Sequence, residues 1–248
     1  MTGPPPTTPR PPDLPDLDAA VELLERALGH TRLALAGVRP VHLARPTPCA
    51  RWDLDDLLWH MDDALDAFTE AAAGRVTGRG TGRGSPGRSG TARTPGAAGP
   101  RATGVGARLG RLQTKACHLL GLWAEPPRSV VDVGAIDVGA VDVGAVDVGA
   151  VDVGAVDRAG TSLPASLLVA TAALEIGVHG WDVAQATGED RPVPADLAAQ
   201  LLPVAAVTIG ARDRGRRFGS SLPVAPFAPA DVRLLAFLGR PPLPARAG

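Results

Sequence analysis

Tyrosine is absent, all aromatic residues together make up 3% of the chain, and lysine occurs once, at Lys115. So few rings leave little with which to stack unpaired bases, and a formal net charge of -1 excludes a generally basic polyanion binder. No nucleic-acid partner is expected. Cysteine occurs only at Cys49 and Cys117, too few for a disulfide framework and not in a Cys-x-x-Cys pair. A reducing, cytoplasmic setting follows as the expectation. No uninterrupted apolar run reaches the roughly 18 residues of a membrane span, and the Pro-rich start has no apolar signal region. Neither membrane insertion nor secretion is expected.

Glycine (30) and proline (25) are plentiful among the 248 residues, yet 45% of the chain is hydrophobic, enough for a buried core. The two compositions are segregated along the sequence. Residues 1–15 are expected to form a Pro-rich, disordered tail, because proline fixes φ and removes a hydrogen-bond donor. Residues 16–242 are expected to form a single helical bundle domain, followed by a short tail over residues 243–248. Two low-complexity loops interrupt the bundle. Residues 74–101 hold six Arg, nine Gly and no acid, too little apolar surface to offset the entropy of ordering. Residues 131–157 carry five tandem copies of (Val/Ile)-Asp-Val-Gly-Ala and a decayed sixth. An odd period throws successive valines onto opposite faces of a strand, so the repeat is read as an expansion within a tolerant surface loop rather than a cation-binding strip.

Helical periodicity fills the intervals. Helix one spans about Asp16 to Ala36, with a lapse in its apolar stripe at Thr31 and Arg32. Helix two runs from about Asp53 to Ala73, opened by acids in its first turn, and helix three from about Val105 to Glu125. Helix four runs from about Ser162 to Thr187, with Gly188 just past its end. A fifth is expected from Ala195 to Asp213, bending at Pro203, and a short one from Asp231 to Leu238. No strand alternation stands out beyond the repeat, so the fold class is all-α.

Helix four is apolar almost all round, and a buried seam along it reads Leu168, Ala172, Glu175, His179, Asp182, Ala186. Unpaired buried charge is costly, so three ionisable groups on one seam are paired, neutralised or bound to a cation. Glu175 and His179, four residues apart, project from one face at a spacing that suits two ligands of one metal. A third ligand must come from another helix. His60 lies on the shoulder of helix two's apolar face, where Ala64 and Ala67 let a partner approach, whereas His30, His42 and His118 are poorer candidates. Two histidines and a carboxylate leave an open coordination position.

Three stretches carry a family resemblance: Thr47-Pro-Cys-Ala-Arg-Trp-Asp-Leu-Asp-Asp-Leu-Leu-Trp-His60, Glu175-Ile-Gly-Val-His-Gly-Trp-Asp-Val-Ala184, and Asp231-Val-Arg-Leu-Leu-Ala-Phe-Leu-Gly-Arg240. Together they resemble the actinobacterial DinB-like proteins, and more narrowly the metal-binding domain of the mycothiol-dependent maleylpyruvate isomerase family. The resemblance implies a four-helix bundle with a long crossover between helices two and three, extended here by C-terminal helices. It implies a divalent metal, most often zinc, on His60, Glu175 and His179, and mycothiol as a cosubstrate. Asp182 matches the acid of the family's His-Gly-Trp-Asp stretch and is expected to hold a ligand or helix end by a hydrogen bond. Cys49 is read as a buried structural thiol, and Arg212, Arg214, Arg216 and Arg217 as a solvated charge run rather than an anion cradle. That isomerase carries a further C-terminal domain, whereas about 60 residues follow Gly188 here.

The expected function is therefore a metal- and thiol-dependent transferase or isomerase acting on a small electrophilic substrate. Its partners are that small molecule and a low-molecular-weight thiol, with a homodimer allowed for. The alternative is a non-catalytic bundle stapled by the cation.

Overall fold

A computed structural model describes residues 14–49, 52–72, 104–124, 130–133, 161–215 and 218–241. The tail over residues 1–13, the Arg/Gly tract, most of the repeat and the last residues lie outside the described residues. Six α-helices are present among those described: α1 (Leu17–Leu35), α2 (Leu54–Ala72), α3 (Val105–Ala124), α4 (Ala165–Thr187), α5 (Ala195–Thr208) and α6 (Ala230–Phe237). The fold is an all-α four-helix bundle with a long crossover between α2 and α3 and a C-terminal helical extension. In the bundle α1 packs on α4 and α3, while α2 packs on α3 and α4. Across it, α5 leans on α4 and carries α6.

Local chemistry sets the ends of these helices. Asp16 caps α1 by accepting from the Ala19 N–H at 2.9 Å. At the C-terminus of α4, Gly188 adopts φ 83°, a left-handed conformation that costs a side-chain-bearing residue free energy. The last carbonyl of α4, on Thr187, accepts from Arg45 at 2.9 Å, which ties the loop before α2 to that end. Helix α5 continues through Pro203 but stops at Thr208, short of the expected Asp213. There the chain turns extended at Ile209, and Asp213 caps a separate 3-10 turn by accepting from the Gly210 N–H at 2.7 Å.

Helix α4 is the centre of the core, with 18 of its 23 residues buried. It is long and apolar enough to cross a membrane by length and composition alone, but 89% of its most apolar window is buried against protein. Its contact with α1 is close because both surfaces are small. A Cβ on Gly180 would lie 2.9 Å from the Thr31 Cα, and Gly177 faces Ala27. Thr31 is 3% exposed and donates to the Ile176 carbonyl at 2.7 Å. The lapse in the apolar stripe of α1 at Thr31 thus falls at a close approach to α4.

The structure adds a two-stranded ribbon that the sequence reading lacks. β1 (Val130–Val133) pairs antiparallel with β2 (Thr161–Pro164), with Val133 opposite Thr161. The first repeat copy is therefore partly a strand rather than loop throughout, and the remaining copies lie between the two paired ends.

Candidate metal centre

Three of the expected residues meet at the α2–α4 contact. His60 reaches across from α2, and its Nε2 lies 2.6 Å from Glu175 Oε1. One turn along α4, His179 Nε2 lies 3.1 Å from the same oxygen. Helical spacing supplies the Glu175–His179 pair and helix packing supplies His60. The two imidazole rings stand edge to face, 4.8 Å between centroids at 82°. Beside them is Trp52, its ring 4.7 Å from that of His60 and 6.3 Å from that of His179.

Burial opposes ionisation of Glu175, but the His179 charge and hydrogen bonds from both histidines hold its carboxyl well below the usual range. Burial likewise disfavours charge on His179. It is outweighed chiefly by Glu175, then by Cys49 and Asp182, so the imidazole is raised well above its ordinary value. In this state protons on the ring nitrogens meet the carboxylate. A divalent cation satisfies the same donor atoms without those protons, and His60, Glu175 and His179 present one ligand atom each within 4.8 Å of one another. The donor set fits such a cation.

A second layer fixes His179 from behind. Its Nδ1 lies 2.9 Å from Asp182 Oδ2, which sets the other nitrogen toward Glu175. Asp182 is fully buried and accepts from Arg240 Nε at 3.1 and 3.0 Å on its two oxygens. Burial pushes the Asp182 carboxyl up, but Arg240 and then His179 more than reverse this and leave it lowered. The Cys49 thiol also donates to Asp182 Oδ2, at 3.1 Å, and Arg240 donates to Cys49 Sγ at 3.3 Å. Cys49 is held in a turn where Thr47 Oγ1 donates to the Trp52 carbonyl at 3.0 Å and accepts from the Cys49 N–H at 3.2 Å.

Sequence reasoning missed Arg240 and the engagement of Cys49. Arg240 arrives through the end of α6, where Gly239 takes φ 67°. Its N–H bonds to the Leu235 carbonyl at 2.9 Å and that of Gly239 to the Ala236 carbonyl at 3.1 Å, a Schellman closure. Leu-Gly-Arg after an apolar helical stripe is the signal that could have placed this turn.

The remaining candidates stay apart from the centre. His118 and Cys117 are exposed on α3, and His42 Nδ1 accepts from the Arg39 N–H at 3.3 Å. His30 is buried on α1. Arg214 is neither an anion cradle nor freely solvated: it donates to the Phe237 and Gly219 carbonyls at 2.6 and 3.1 Å and so ties down α6. Arg216, Arg217 and the Arg212 side chain lie outside the described residues.

No family model matches the chain. Over 80 residues it is 30% identical to uncharacterized proteins from two strains of Mycobacterium tuberculosis, a match covering 32% of this chain. The chain spans only 44% of the length of those curated relatives. Among solved structures it is similar to the crystal structure of the mycothiol-dependent maleylpyruvate isomerase, with a TM-score of 0.47 and 16% identity over 76% of this chain and 68% of that one. A histidine-to-alanine mutant of that isomerase gives the same TM-score with 14% identity.

Proposed function

We propose that the chain binds one divalent cation, zinc by preference, on His60, Glu175 and His179, and uses it with a low-molecular-weight thiol to act on a small electrophile. The observation that carries the metal half is the convergence of His60 Nε2 and His179 Nε2 on Glu175 Oε1, at 2.6 and 3.1 Å, from two different helices. The thiol half rests on the sequence resemblance, with mycothiol as the candidate cosubstrate and S-transfer or isomerisation as the reaction class. Bound there, the cation would supply Lewis acidity that lowers the pKa of a thiol or water. The chain's own part is positional: Asp182 holds the His179 ring, and Trp52 walls one side of both histidines.

Purified protein should carry stoichiometric divalent metal, and His60→Ala and Glu175→Ala should each lose it while remaining helical. Absence of metal from wild type prepared without chelators would overturn the ligand assignment. Consumption of mycothiol with generic electrophiles then tests the thiol half. A structural staple is the second reading, favoured by the centre's position between α2 and α4. It predicts that His179→Ala loses fold and metal together, whereas a reactive centre predicts a folded, metal-free variant.

A further inference from the structure

Two donor sets overlap at His179. One is His60, Glu175 and His179; the other is Cys49, His179 and Asp182, whose ligand atoms also lie within 4.8 Å of one another. They use opposite edges of the same ring, Nε2 toward Glu175 and Nδ1 toward Asp182. By residue type the second set is no poorer for zinc, since it offers a thiol, an imidazole and a carboxylate. What separates them is their neighbour. The guanidinium of Arg240, 6% exposed, donates to both Asp182 oxygens and to Cys49 Sγ, so two of the three ligands already face a permanent cation.

We propose that Arg240 sorts the cation between these sets: by holding Asp182 and Cys49 it closes the Cys49–His179–Asp182 set to metal and reserves His179 for His60 and Glu175. This rests on the metal-binding reading above. Arg240 is a positioning residue in this scheme, since its side-chain hydrogen bonds go to Asp182 and Cys49 and it acts on the favoured set through them. The selection depends on the C-terminal segment, because the Schellman turn at Gly239 aims the guanidinium inward. Removing the guanidinium leaves a carboxylate and a thiol beside His179 Nδ1, and a thiophilic ion can then gain sulfur ligation.

Cobalt(II) distinguishes the outcomes, because thiolate ligation adds a sulfur-to-metal charge-transfer band in the near ultraviolet that nitrogen and oxygen ligands lack. Full-length wild type should bind cobalt without that band, and Cys49→Ser should leave its spectrum unchanged. Arg240→Ala should gain the band, lose it again in combination with Cys49→Ser, and weaken binding at the original set by about 10-fold or more. Circular dichroism establishes folding, and Arg240→Gln, which keeps a donor without the charge, gives the same test if the alanine variant does not fold. Unchanged cobalt spectra and affinity in a folded Arg240 variant overturn the inference alone. So does a sulfur band in wild type. Failure of wild type to bind cobalt at all overturns the metal-binding reading with it.

Discussion

His30 sits 6% exposed on α1, and its Nε2 has no hydrogen-bond partner among the described residues. Burial, and then the charge of Arg191, lower its pKa from 6.5 to about 4. The unfolded chain therefore takes up this proton first as pH falls. Stability is full above the unfolded value near 6.5 and declines on the way down toward 4, by up to about 3 kcal/mol. Urea unfolding of wild type and His30→Leu at pH 7.5 and pH 4.5 should show the variant gaining on wild type at the acid end. A constant difference between the two would refute it. In sequence this histidine was indistinguishable from one at a helix end, since what lowers its pKa is the packing of α1 rather than any neighbour in the chain. His60, Glu175 and His179 were legible for the opposite reason. Glu175 and His179 are conspicuous against the apolar background of α4, and helical spacing pairs them before any packing is known, whereas His60 was singled out by the resemblance and by its place on the shoulder of α2.

At the scale of the element, the α1–α4 contact depends on residues without side-chain bulk. Gly180→Ala places a methyl 2.9 Å from the Thr31 Cα, which only a backbone shift can relieve. The substitution should cost about 1–3 kcal/mol and lower the melting temperature, even though alanine is the better helix former. A melting temperature equal to or above wild type would show that α1 yields freely. All six helices were readable from apolar periodicity because each buries one face or, in α4, nearly all of it. The ribbon was not readable. Four residues per strand give almost no alternation to detect, and the period-five repeat obscures what there is. The early stop of α5 turned on Asp213 capping backwards to Gly210, a local hydrogen bond that competes with the helix.

At the scale of the whole molecule, a cation bound as proposed would join α2 to α4 and so couple the centre to stability. Chelation should therefore lower the melting temperature, and saturating metal at 100 times its Kd should restore about 2.7 kcal/mol. Parallel melts with and without chelator check this, and coincident curves would argue against any cation bound by the folded state. To its repetitive tract, by contrast, the bundle should be indifferent. Excising residues 136–155, four copies of the repeat, leaves β1 and β2 intact and should change neither helical content nor metal stoichiometry.

The pairing of Val133 with Thr161 also bears on the length of chain between them. The ladder fixes both ends of the intervening stretch, and between two such fixed ends a flexible loop costs only about 0.6 kcal/mol more for each doubling of its length. By that rule, adding or removing one whole copy between the paired ends should shift the stability of the bundle by well under about 1 kcal/mol, which urea unfolding of copy-number variants would check.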